Sequence, residues 1–571
     1  MSRPGTSLQH GRSELNRVTR LHTHAEGGHW RSPRPGLWIA GHIFEGSQLL
    51  SDDDAVGRLI AARRHADLVE QVAQWNGFFS VILNTPHGAF AAVDRVRSYP
   101  VFYAHGETEL RVGSEAGWVR GAVPHSHRDD EATQEFLLTG YVTGPTTLMS
   151  GVLQLQAGEA LFVERDDARR GGVAVETVRY TRFERGERER SESALLEALS
   201  SAASSSIDRL IAMADGRPIV VPLSGGLDSR LIAALLLRHG NPDVRCFTYG
   251  RPGNKESAVS RAVASRLDLP WTFVPYSESQ WSRWSVLPDY DHYLSAAHQH
   301  TSVPHVQDWP AVMHLTETGA IPANSVIVPG HTGDFTAGRH TLKQFVGVER
   351  VSAEQLAYAI VARHYNLGTI AERAEMLRAL LDRVLDRLGF SATAELSGLM
   401  AINAHDTWNW QERQAKFIVN SVRAYEQWGH SWWLPLWDDD LMRFWQSVPL
   451  RYRIDGVLHE RHVTSAVGFP VGSVGSEPRR PDKDVGTRLQ GARTRLREAI
   501  FAGPIGPVAR AVRLWRRRTR EYGRHPLAWY GIVGRRGFNR RYSGCENINS
   551  FIAQDIVARA PESLELKRRR W

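Results

Sequence analysis

Short apolar runs separated by turn residues dominate the first third of the chain. Residues 75–83, 89–93 and 99–103 each have the length and composition of a strand. This pattern predicts a strand-rich N-terminal part. A charged segment, residues 182–190, follows and is almost free of apolar residues. Such a composition indicates a linker and places a domain boundary near residue 185.

Beyond this segment, strand-like and helix-like patterns alternate. Residues 244–249 predict a strand, residues 256–267 a helix and residues 271–276 a second strand. Alternation of this kind is typical of a parallel sheet covered by helices. From about residue 350 to residue 450 the pattern is mostly helical. The predicted fold class is therefore α/β, with a parallel-sheet domain that ends in a helical part.

The most informative segment is residues 217–230. Residues 219–221 predict a buried strand, and the apolar positions after residue 230 predict a helix that ends at His239 and Gly240. Between them lie residues 224–229, with the sequence Ser-Gly-Gly-Leu-Asp-Ser. Glycines at such a turn let backbone N–H groups approach a phosphate, and the positive end of the helix dipole faces the anion. A tight turn with glycines for packing alone is the alternative, but the residues around the glycine pair favour phosphate binding.

Composition restricts the class of protein. The 571 residues suffice for two or three domains, and 42% hydrophobic with 23% charged residues is ordinary for a soluble protein. We find no apolar run of membrane-spanning length and no N-terminal signal-peptide pattern. Two isolated cysteines, Cys246 and Cys545, cannot build a disulfide framework or a zinc cluster. We therefore expect a cytoplasmic protein.

Positive charge is concentrated at the C-terminal end. Residues 491–571 hold 19 Lys and Arg against 6 Asp and Glu, a net charge of +13, whereas the whole chain carries +8. The remainder is therefore about −5. This basic extension is either a solvated face or a contact for an anionic partner such as nucleic acid, a phospholipid surface or a phosphorylated carrier.

Residues 224–229 resemble the PP-loop of N-type ATP pyrophosphatases, which cleave ATP to AMP and pyrophosphate. The Gly-Lys-Ser/Thr ending of a Walker loop is absent. The resemblance implies ATP binding, with the Asp228 carboxylate as an oxygen ligand of Mg²⁺. The implied ATP-binding residues of this segment are Leu223, Ser224, Gly225, Gly226, Leu227, Asp228 and Ser229.

Several further segments, in order over roughly residues 35–485, resemble class B asparagine synthetase. The segments of the front part are residues 76–81, 93–95, 99–103, 140–148 and 155–158. Those of the later part are residues 246–253, Glu256 and residues 434–438. The resemblance implies three regions. Residues 1–185 would form an Ntn-hydrolase-like αββα sandwich, residues 190–490 the PP-loop ATP-binding domain, and residues 491–571 a basic extension.

The front part departs from that family at its glutaminase site. The family's nucleophile is a cysteine directly after the initiator methionine, whereas this chain begins Met-Ser-Arg-Pro. The family's glutamine-gripping loop corresponds to residues 40–45, Ala-Gly-His-Ile-Phe-Glu, which lack the amide-binding asparagine. We expect the front domain to keep its fold without hydrolysing glutamine. Ser2 would need an activating base to replace the cysteine.

A second departure lies in residues 326–335, which resemble the family's Ser-Gly-Glu-Gly-Ser-Asp-Glu loop. Asp334 retains the magnesium-binding aspartate, whereas His331 and Phe335 replace the flanking glutamates. Metal handling should survive, while recognition of the acceptor carboxylate should change. The alternative is that Asp334 only caps a helix or orders the loop. The resemblance also assigns Tyr249, Pro329 and Gly330 to the ATP site.

A cation is expected to neutralise charge that develops on the α-phosphate and the leaving pyrophosphate. Lys483 is the candidate in the corresponding stretch, with Arg479 and Arg480 as competitors and a solvated loop lysine as the alternative.

Three charged residues, Glu412, Arg423 and Glu426, precede residues 434–438 on a predicted helix. They would either line the acceptor pocket or form surface pairs along the helix, and the spacing favours surface pairs.

The implied activity is that of an ATP-dependent ligase that activates a carboxylate, nominally that of aspartate, as an acyl-adenylate. Its nitrogen donor would be ammonia, free or from a separate glutaminase, or an amine within the substrate. Alternatives are amidation of sugar carboxylates for surface polysaccharides and a β-lactam or macrolactam cyclase. A PP-loop RNA-modifying enzyme and a binding-only pseudoenzyme are candidates from other classes.

Overall fold

The computed structural model describes residues 20–62, 64–166, 172–241, 243–368, 374–469, 521–542 and 547–559. Predictions that concern Ser2, Lys483, Arg479, Arg480 and Cys545 lie outside these residues.

In its described residues, the front part consists of strands and four helices. The strands are β1 (Arg20–His24), β2 (Trp30–Arg34), β3 (Leu37–Glu45), β4 (Gln48–Leu49), β5 (Trp75–Thr85), β6 (Gly88–Val93), β7 (Phe102–His105), β8 (Glu109–Gly113), β9 (Leu153–Gln154), β10 (Glu159–Asp166) and β11 (Gly172–Arg179). The helices are α1 (Asp52–Ala61), α2 (His65–Gln74), α3 (Ala116–Arg120) and α4 (Asp130–Thr139).

These strands form two stacked sheets. The larger is antiparallel, with order β11-β10-β6-β5-β3-β2 and β4 paired to β3. The smaller has order β1-β8-β7-β9 and is antiparallel except for the parallel pair β1–β8. One face of the larger sheet packs on α1 and α2, its other face packs on the smaller sheet, and α3 covers the smaller sheet. This layering matches the predicted αββα sandwich.

The segment after the front part lacks helix and strand, as a linker should. It is nevertheless not solvated along its whole length, because Phe183 is fully buried in the main core. The Arg185 guanidinium is also buried, lies 2.9 Å from the Asp406 carboxylate and donates to the carbonyl oxygen of Trp445 at 2.7 Å. The charge of residues 182–190 therefore did not predict that part of this segment is anchored to the next part of the chain.

A third sheet follows, and all its strand pairs are parallel. Its order is β14-β13-β12-β15-β18, where β18 is the short strand Ser431–Trp432. The elements from residue 192 to residue 336 are α5 (Glu192–Ala214), β12 (Ile219–Pro222), α6 (Leu227–Arg238), β13 (Val244–Gly250), α7 (Lys255–Arg266), β14 (Trp271–Pro275), α8 (Glu278–Trp284), α9 (Pro288–His298), α10 (Trp309–Glu317), β15 (Val326–Ile327) and α11 (Gly333–Thr336). Strands β13 and β14 and helix α7 confirm the predicted alternation.

From about residue 350 to residue 450 the structure is mainly helical, as predicted, and further helices occur in the described residues beyond residue 450. These helices are α12 (Ala353–His364), α13 (Ala374–Leu388), α14 (Gly398–Asn409), α15 (Arg423–Glu426), α16 (Asp439–Ser447), α17 (Leu450–Arg453), α18 (Val457–Val467), α19 (Gly534–Arg541) and α20 (Ile548–Ala558). The strands of the same part are β16 (Val351–Ser352), β17 (Glu395–Leu396) and β18 (Ser431–Trp432). Short 3₁₀ turns cover Lys343–Phe345, Val419–Val422, Pro435–Trp437, Ile454–Gly456 and Trp529–Ile532, and a π-helical segment covers Trp410–Ile418.

The described part of the basic extension packs onto the preceding parts. Tyr530 and Phe551 are buried in the main core. The Trp281 indole on α8 donates to the carbonyl oxygen of Leu527 at 2.7 Å, and Arg128 donates to that of Arg559 at 2.9 Å. Apolar side chains thus hold part of the basic extension against the protein, although its charge alone would predict exposure to solvent. Across the described ranges, every helix falls short of the length and apolarity that crossing a bilayer demands.

Candidate active site

The order of the parallel sheet creates a crevice beside β12. Along the chain the sheet grows from β12 to β13 and β14 on one side, and then continues from β15 on the other side. The strand order therefore reverses between β12 and β15, and ligands of open α/β sheets bind at such a point, outside the carboxyl ends of the strands. Residues 224–229 follow β12 and residues 328–334 follow β15, so both loops meet at this edge.

Residues 224–229, here called the PP-loop, form a compact turn into α6. The backbone N–H of Ser224 donates to Ser229 Oγ at 3.1 Å, and that of Gly226 donates to Ser224 Oγ at 3.0 Å. Arg230 closes the turn by donating to the carbonyl oxygen of Gly225 at 2.7 Å. Gly226 is the N-cap of α6, so the positive end of that helix opens onto the turn. This geometry suits the predicted binding of phosphates.

Asp228 and Asp334 meet across the crevice. The backbone N–H of Asp334 donates to Asp228 Oδ2 at 3.0 Å. Two glycines permit this approach, since a Cβ at Gly333 would lie 2.6 Å from Asp228 Oδ1 and a Cβ at Gly330 would lie 2.8 Å from the backbone nitrogen of Ser229. The two predicted carboxylates, 106 residues apart in sequence, are therefore neighbours in the fold.

Two histidines hold these carboxylates, and the sequence analysis identified neither. His459 on α18 is almost fully buried, and its Nε2 donates to Asp228 Oδ1 at 2.7 Å. His340 Nε2 lies 3.2 Å from Asp334 Oδ2, while its Nδ1 lies 3.0 Å from the amide nitrogen of Asn409. The amide N–H of Asn409 can donate only to an unprotonated Nδ1, so this contact directs the N–H of His340 to Asp334.

The environment of Asp334 favours a charged carboxylate. Burial acts to raise its pKa, but the hydrogen bond from His340 and the backbone N–H of Phe335 oppose burial, and the pKa is lowered to about 2. Asp334 is thus a carboxylate at neutral pH, and its side chain is 48% exposed towards the crevice.

This donor set fits a magnesium ion carried by a nucleotide. Within the described ranges, no group of three His, Cys, Asp or Glu side chains could hold a metal ion alone. Mg²⁺ usually takes one or two protein carboxylates together with substrate phosphates, and two neighbouring carboxylates beside a phosphate-binding turn meet that requirement.

His331 contributes a neutral imidazole to the same crevice. Burial lowers its pKa, even though the negative charges of Asp308, Asp334 and Asp228 oppose this shift. Its Nδ1 lies 3.3 Å from Ser421 Oγ. The loop that residues 326–335 resemble has a glutamate at this position. This chain therefore has a group that is uncharged near neutral pH where that loop has a negative charge.

Tyr249, assigned to the ATP site by resemblance, is fixed at the end of β13. Its hydroxyl donates to Asp308, whose other carboxylate oxygen accepts from Tyr425 at 2.6 Å. Its ring stacks on that of Tyr276, with 5.2 Å between centroids. The hydroxyl of Tyr249 is thus already hydrogen-bonded within the protein. Any contact of Tyr249 with a nucleotide would therefore be made by its ring.

The other predicted ATP-site residues lie around the same edge. Leu223, directly after β12, is buried, and its N–H donates to the carbonyl oxygen of Phe247 on β13 at 2.8 Å. Pro329 and Gly330 follow β15 directly beside the PP-loop. Glu256, which the sequence analysis matched to the family without assigning it to the ATP site, is exposed on α7, and its side chain would lie 3.5 Å from a Cβ at Gly225.

The expectation of surface pairs is wrong for Glu412. It is buried, lies 2.6 Å from Lys416 Nζ and accepts from the backbone N–H of Gly144 at 2.9 Å. Burial lowers the pKa of Lys416 to about 8, although Glu412 opposes this shift. Arg423 and Glu426 do form a pair, at 2.7 Å, but Arg423 also donates to the carbonyl oxygen of Ser98. These residues therefore join the helical part to the front part.

The front part shows a packed structure where the resembling family grips glutamine. Residues 40–45 belong to β3 and pair with β5 throughout. A Cβ at Gly41 would lie 2.0 Å from the carbonyl oxygen of Phe78 and 2.5 Å from the Tyr99 ring. Asn76 bonds to Asp438 of the later part at 3.2 Å. The absence of glutaminase activity stays a prediction.

Comparison with known proteins identifies a family model that matches the region around the crevice. Residues 207–466 match the family model described as asparagine synthase. None of the curated proteins matches the chain. Among solved structures, it is similar to NMN synthetase from Francisella tularensis, with 14% identity over 39% of this chain and 95% of that chain. The TM-score of 0.19 is too low for that likeness to carry an argument.

The matched region runs from within α5 to the end of α18, so it contains the PP-loop, the Asp334 loop and His459. Such a domain indicates an ATP-dependent, ligase-type enzyme. Residues 207–466 form a domain of the asparagine synthase family.

Proposed function

We propose that the protein is an ATP-dependent amide-forming ligase of the asparagine synthetase type. A substrate carboxylate attacks the α-phosphorus of ATP, which gives an acyl-adenylate and releases pyrophosphate. An amine or ammonia then attacks the acyl carbon, which forms the amide, releases AMP and transfers one amine proton to a base. Sugar-carboxylate amidation and cyclisation share the first step and differ only in the acceptor and the nitrogen donor.

The observation that carries this proposal is the contact between Asp228 and the backbone of Asp334. It brings two carboxylates beside a glycine turn at the carboxyl ends of β12 and β15. A glycine turn alone would bind phosphate, but two adjacent carboxylates also suit a phosphate-bound divalent cation. Together these groups favour chemistry that separates pyrophosphate from ATP.

Each part of the crevice then has a role. The PP-loop holds the β- and γ-phosphates against the N-terminal end of α6. Asp228 and Asp334 would hold Mg²⁺, which neutralises charge on the departing pyrophosphate when it is bound. His459 and His340 orient the two carboxylates. His331, uncharged at neutral pH, accepts the proton that the attacking amine loses.

The nitrogen donor is proposed to be ammonia or a substrate amine rather than glutamine. Neither Cys246 nor Cys545 lies in the front part, and close packing surrounds Gly41 in β3. The front part still serves the reaction as a wall, because an acyl-adenylate must be shielded from water.

The proposal is tested with the full-length protein, Mg²⁺ and α-labelled ATP. The Asp228→Asn and Asp334→Asn variants are compared with Asp243→Asn, which alters an exposed aspartate before β13 at the other end of the sheet. Titration calorimetry with Mg·ATP should show binding by the wild type and Asp243→Asn, and binding at least tenfold weaker in the other two variants, roughly the loss of one charge-assisted contact.

Product analysis completes the test. L-aspartate and D-glucuronate are supplied with ammonium, and the expected products are AMP and pyrophosphate in amounts that added tRNA does not change. Equal Mg·ATP binding by all four proteins would contradict the site. Pyrophosphate release that requires tRNA would favour the RNA-modifying alternative instead.

A further inference from the structure

A second set of polar groups lies beside Asp334, on the π-helical segment Trp410–Ile418. Asn409, directly before this segment, contacts His340 at 3.0 Å and accepts from the Gln414 side chain at 3.2 Å. Because His340 in turn contacts Asp334, the beginning of the segment is fixed to the carboxylate side of the crevice. Arg413 lies four residues after Asn409, so it projects from the same face.

The end of the segment lies against the front part. The Phe417 ring is 4.2 Å from the His305 ring and 6.1 Å from the Tyr141 ring. The charge of Arg413 reaches groups on both sides, since it contributes to lowering the pKa of Asp334 and of His305. Arg413 thus belongs to a segment that starts beside His340 and Asp334 and ends, at Phe417, against a wall formed by Tyr141 and His305.

Arg413 is half-buried, yet within the described ranges its guanidinium makes no hydrogen bond or ion pair. Neighbouring arginines differ, since Arg185 and Arg453 both contact the Asp406 carboxylate. Among the described residues, the guanidinium of Arg363 likewise makes no hydrogen bond or ion pair. This side chain is exposed, and burial and the charge of Arg413 lower its pKa. Two positive charges that act on each other destabilise the folded protein unless an anion compensates them.

The wall also contains polar atoms without partners. Tyr141 Oη and His305 Nε2 are both buried, and in the described part of the chain neither has a hydrogen-bond partner. Buried polar atoms are normally satisfied, and exceptions often mark a place where a ligand or an ion belongs. Within the described part of the chain, two arginines without a paired anion and two unsatisfied polar atoms thus surround the segment that contacts His340 and Asp334.

We infer that Arg413, with Arg363 nearer the solvent and Tyr141 in the wall, binds a negatively charged group of the acceptor other than the carboxylate that is activated. This inference rests on the proposed function, because it places the acceptor between Arg413 and Asp334. The planar guanidinium matches a carboxylate in two parallel hydrogen bonds, which makes a carboxylate the best-fitting group. The front part, through Tyr141, then contributes to selecting the acceptor.

Calorimetry with two probes of equal length tests this subsite. Succinate carries two carboxylates and succinamide carries none, and each is titrated with and without Mg²⁺ and a non-hydrolysable α,β-methylene ATP. Succinate should bind the wild type about tenfold more tightly than succinamide, the usual effect of one charge-assisted contact. Arg413→Gln should abolish this preference. Arg413→Lys should keep part of it, because lysine retains the positive charge but cannot form two parallel hydrogen bonds.

Arg461→Gln is the matched control, because Arg461 is exposed on α18 and paired to Glu192. It should bind succinate as the wild type does. Tyr141→Phe removes one hydroxyl without removing the ring. It should weaken the binding of succinate but not that of succinamide. Affinity for the ATP analogue should stay within about twofold in Arg413→Gln, which shows that the fold survives.

The outcomes separate the two proposals. The inference is overturned if the wild type binds succinate no better than succinamide, or if Arg413→Gln retains wild-type affinity for succinate. Failure of every variant and the wild type to bind the ATP analogue would instead contradict the proposed function, while the succinate titrations without nucleotide still decide the role of Arg413.

Discussion

Replacing Gly333 by alanine tests the meeting of the two loops with a single methyl group. The backbone at Gly333 is not in the left-handed region, so alanine fits its conformation. The added Cβ would lie 2.6 Å from Asp228 Oδ1 and 2.7 Å from its Cγ, whereas ordinary contacts begin near 3.4 Å. Asp228 or the 328–334 loop must therefore shift by about 0.8 Å.

Such a shift has a calculable consequence. Asp228 is fixed by the N–H of Asp334 at 3.0 Å and by His459 at 2.7 Å, and a shift of this size breaks one of these bonds. Overpacking costs about 1–3 kcal/mol, so the free energy of unfolding should fall by about that amount. Misplacement by about 1 Å costs on the order of a hundredfold in activity, about 2.7 kcal/mol of activation free energy, so turnover should fall by an amount comparable to the loss of stability.

The assay combines urea unfolding with Mg·ATP calorimetry. Gly57→Ala is the control, because a Cβ at Gly57 on α1 meets no atom within 4 Å and that glycine is far from the crevice. We expect Gly333→Ala to bind Mg·ATP at least tenfold more weakly, about 1.4 kcal/mol, and Gly57→Ala to bind it normally. Wild-type affinity in Gly333→Ala would refute the proposed joint site of Asp228 and Asp334.

Three further predictions concern other parts of the molecule. His459→Ala should weaken Mg·ATP binding by about tenfold, and His459→Gln should restore part of it by keeping an N–H donor; equal affinities by calorimetry would contradict an orienting role. Asp406 has a pKa lowered to about 2, because Arg185 and other neighbours outweigh burial, so its stabilisation is present above pH 4 and lost as the pH falls towards 2. The difference in unfolding free energy between wild type and Asp406→Asn should therefore shrink over that interval, and a constant difference would contradict the assignment. Finally, glutamate release from glutamine should be undetectable in an enzyme-coupled assay, and a robust rate would show that the front part retains a working nucleophile.

The sequence by itself determined the local features of this protein. The strand, glycine turn and helix around the PP-loop follow from adjacent residues, and they occur at Ile219–Pro222 and Leu227–Arg238 as predicted. The alternation that predicted β13, α7 and β14 is likewise a property of short windows. Asp228 and Asp334 were identified because each lies in a segment with a recognisable resemblance of its own.

Tertiary structure decided everything that depends on a distant neighbour. His459 contacts Asp228 across 231 residues, from a helix whose own sequence has no chemical signature. Arg185 and Glu412 belong to charged or amphipathic patterns that indicate solvent, yet both are buried. The remote Asp406 carboxylate compensates Arg185, whereas Glu412 pairs with its helix neighbour Lys416 and accepts from the backbone N–H of the remote Gly144. Burial of a charge is decided by the pairing of remote segments, and a local pattern contains no information about which segments will meet.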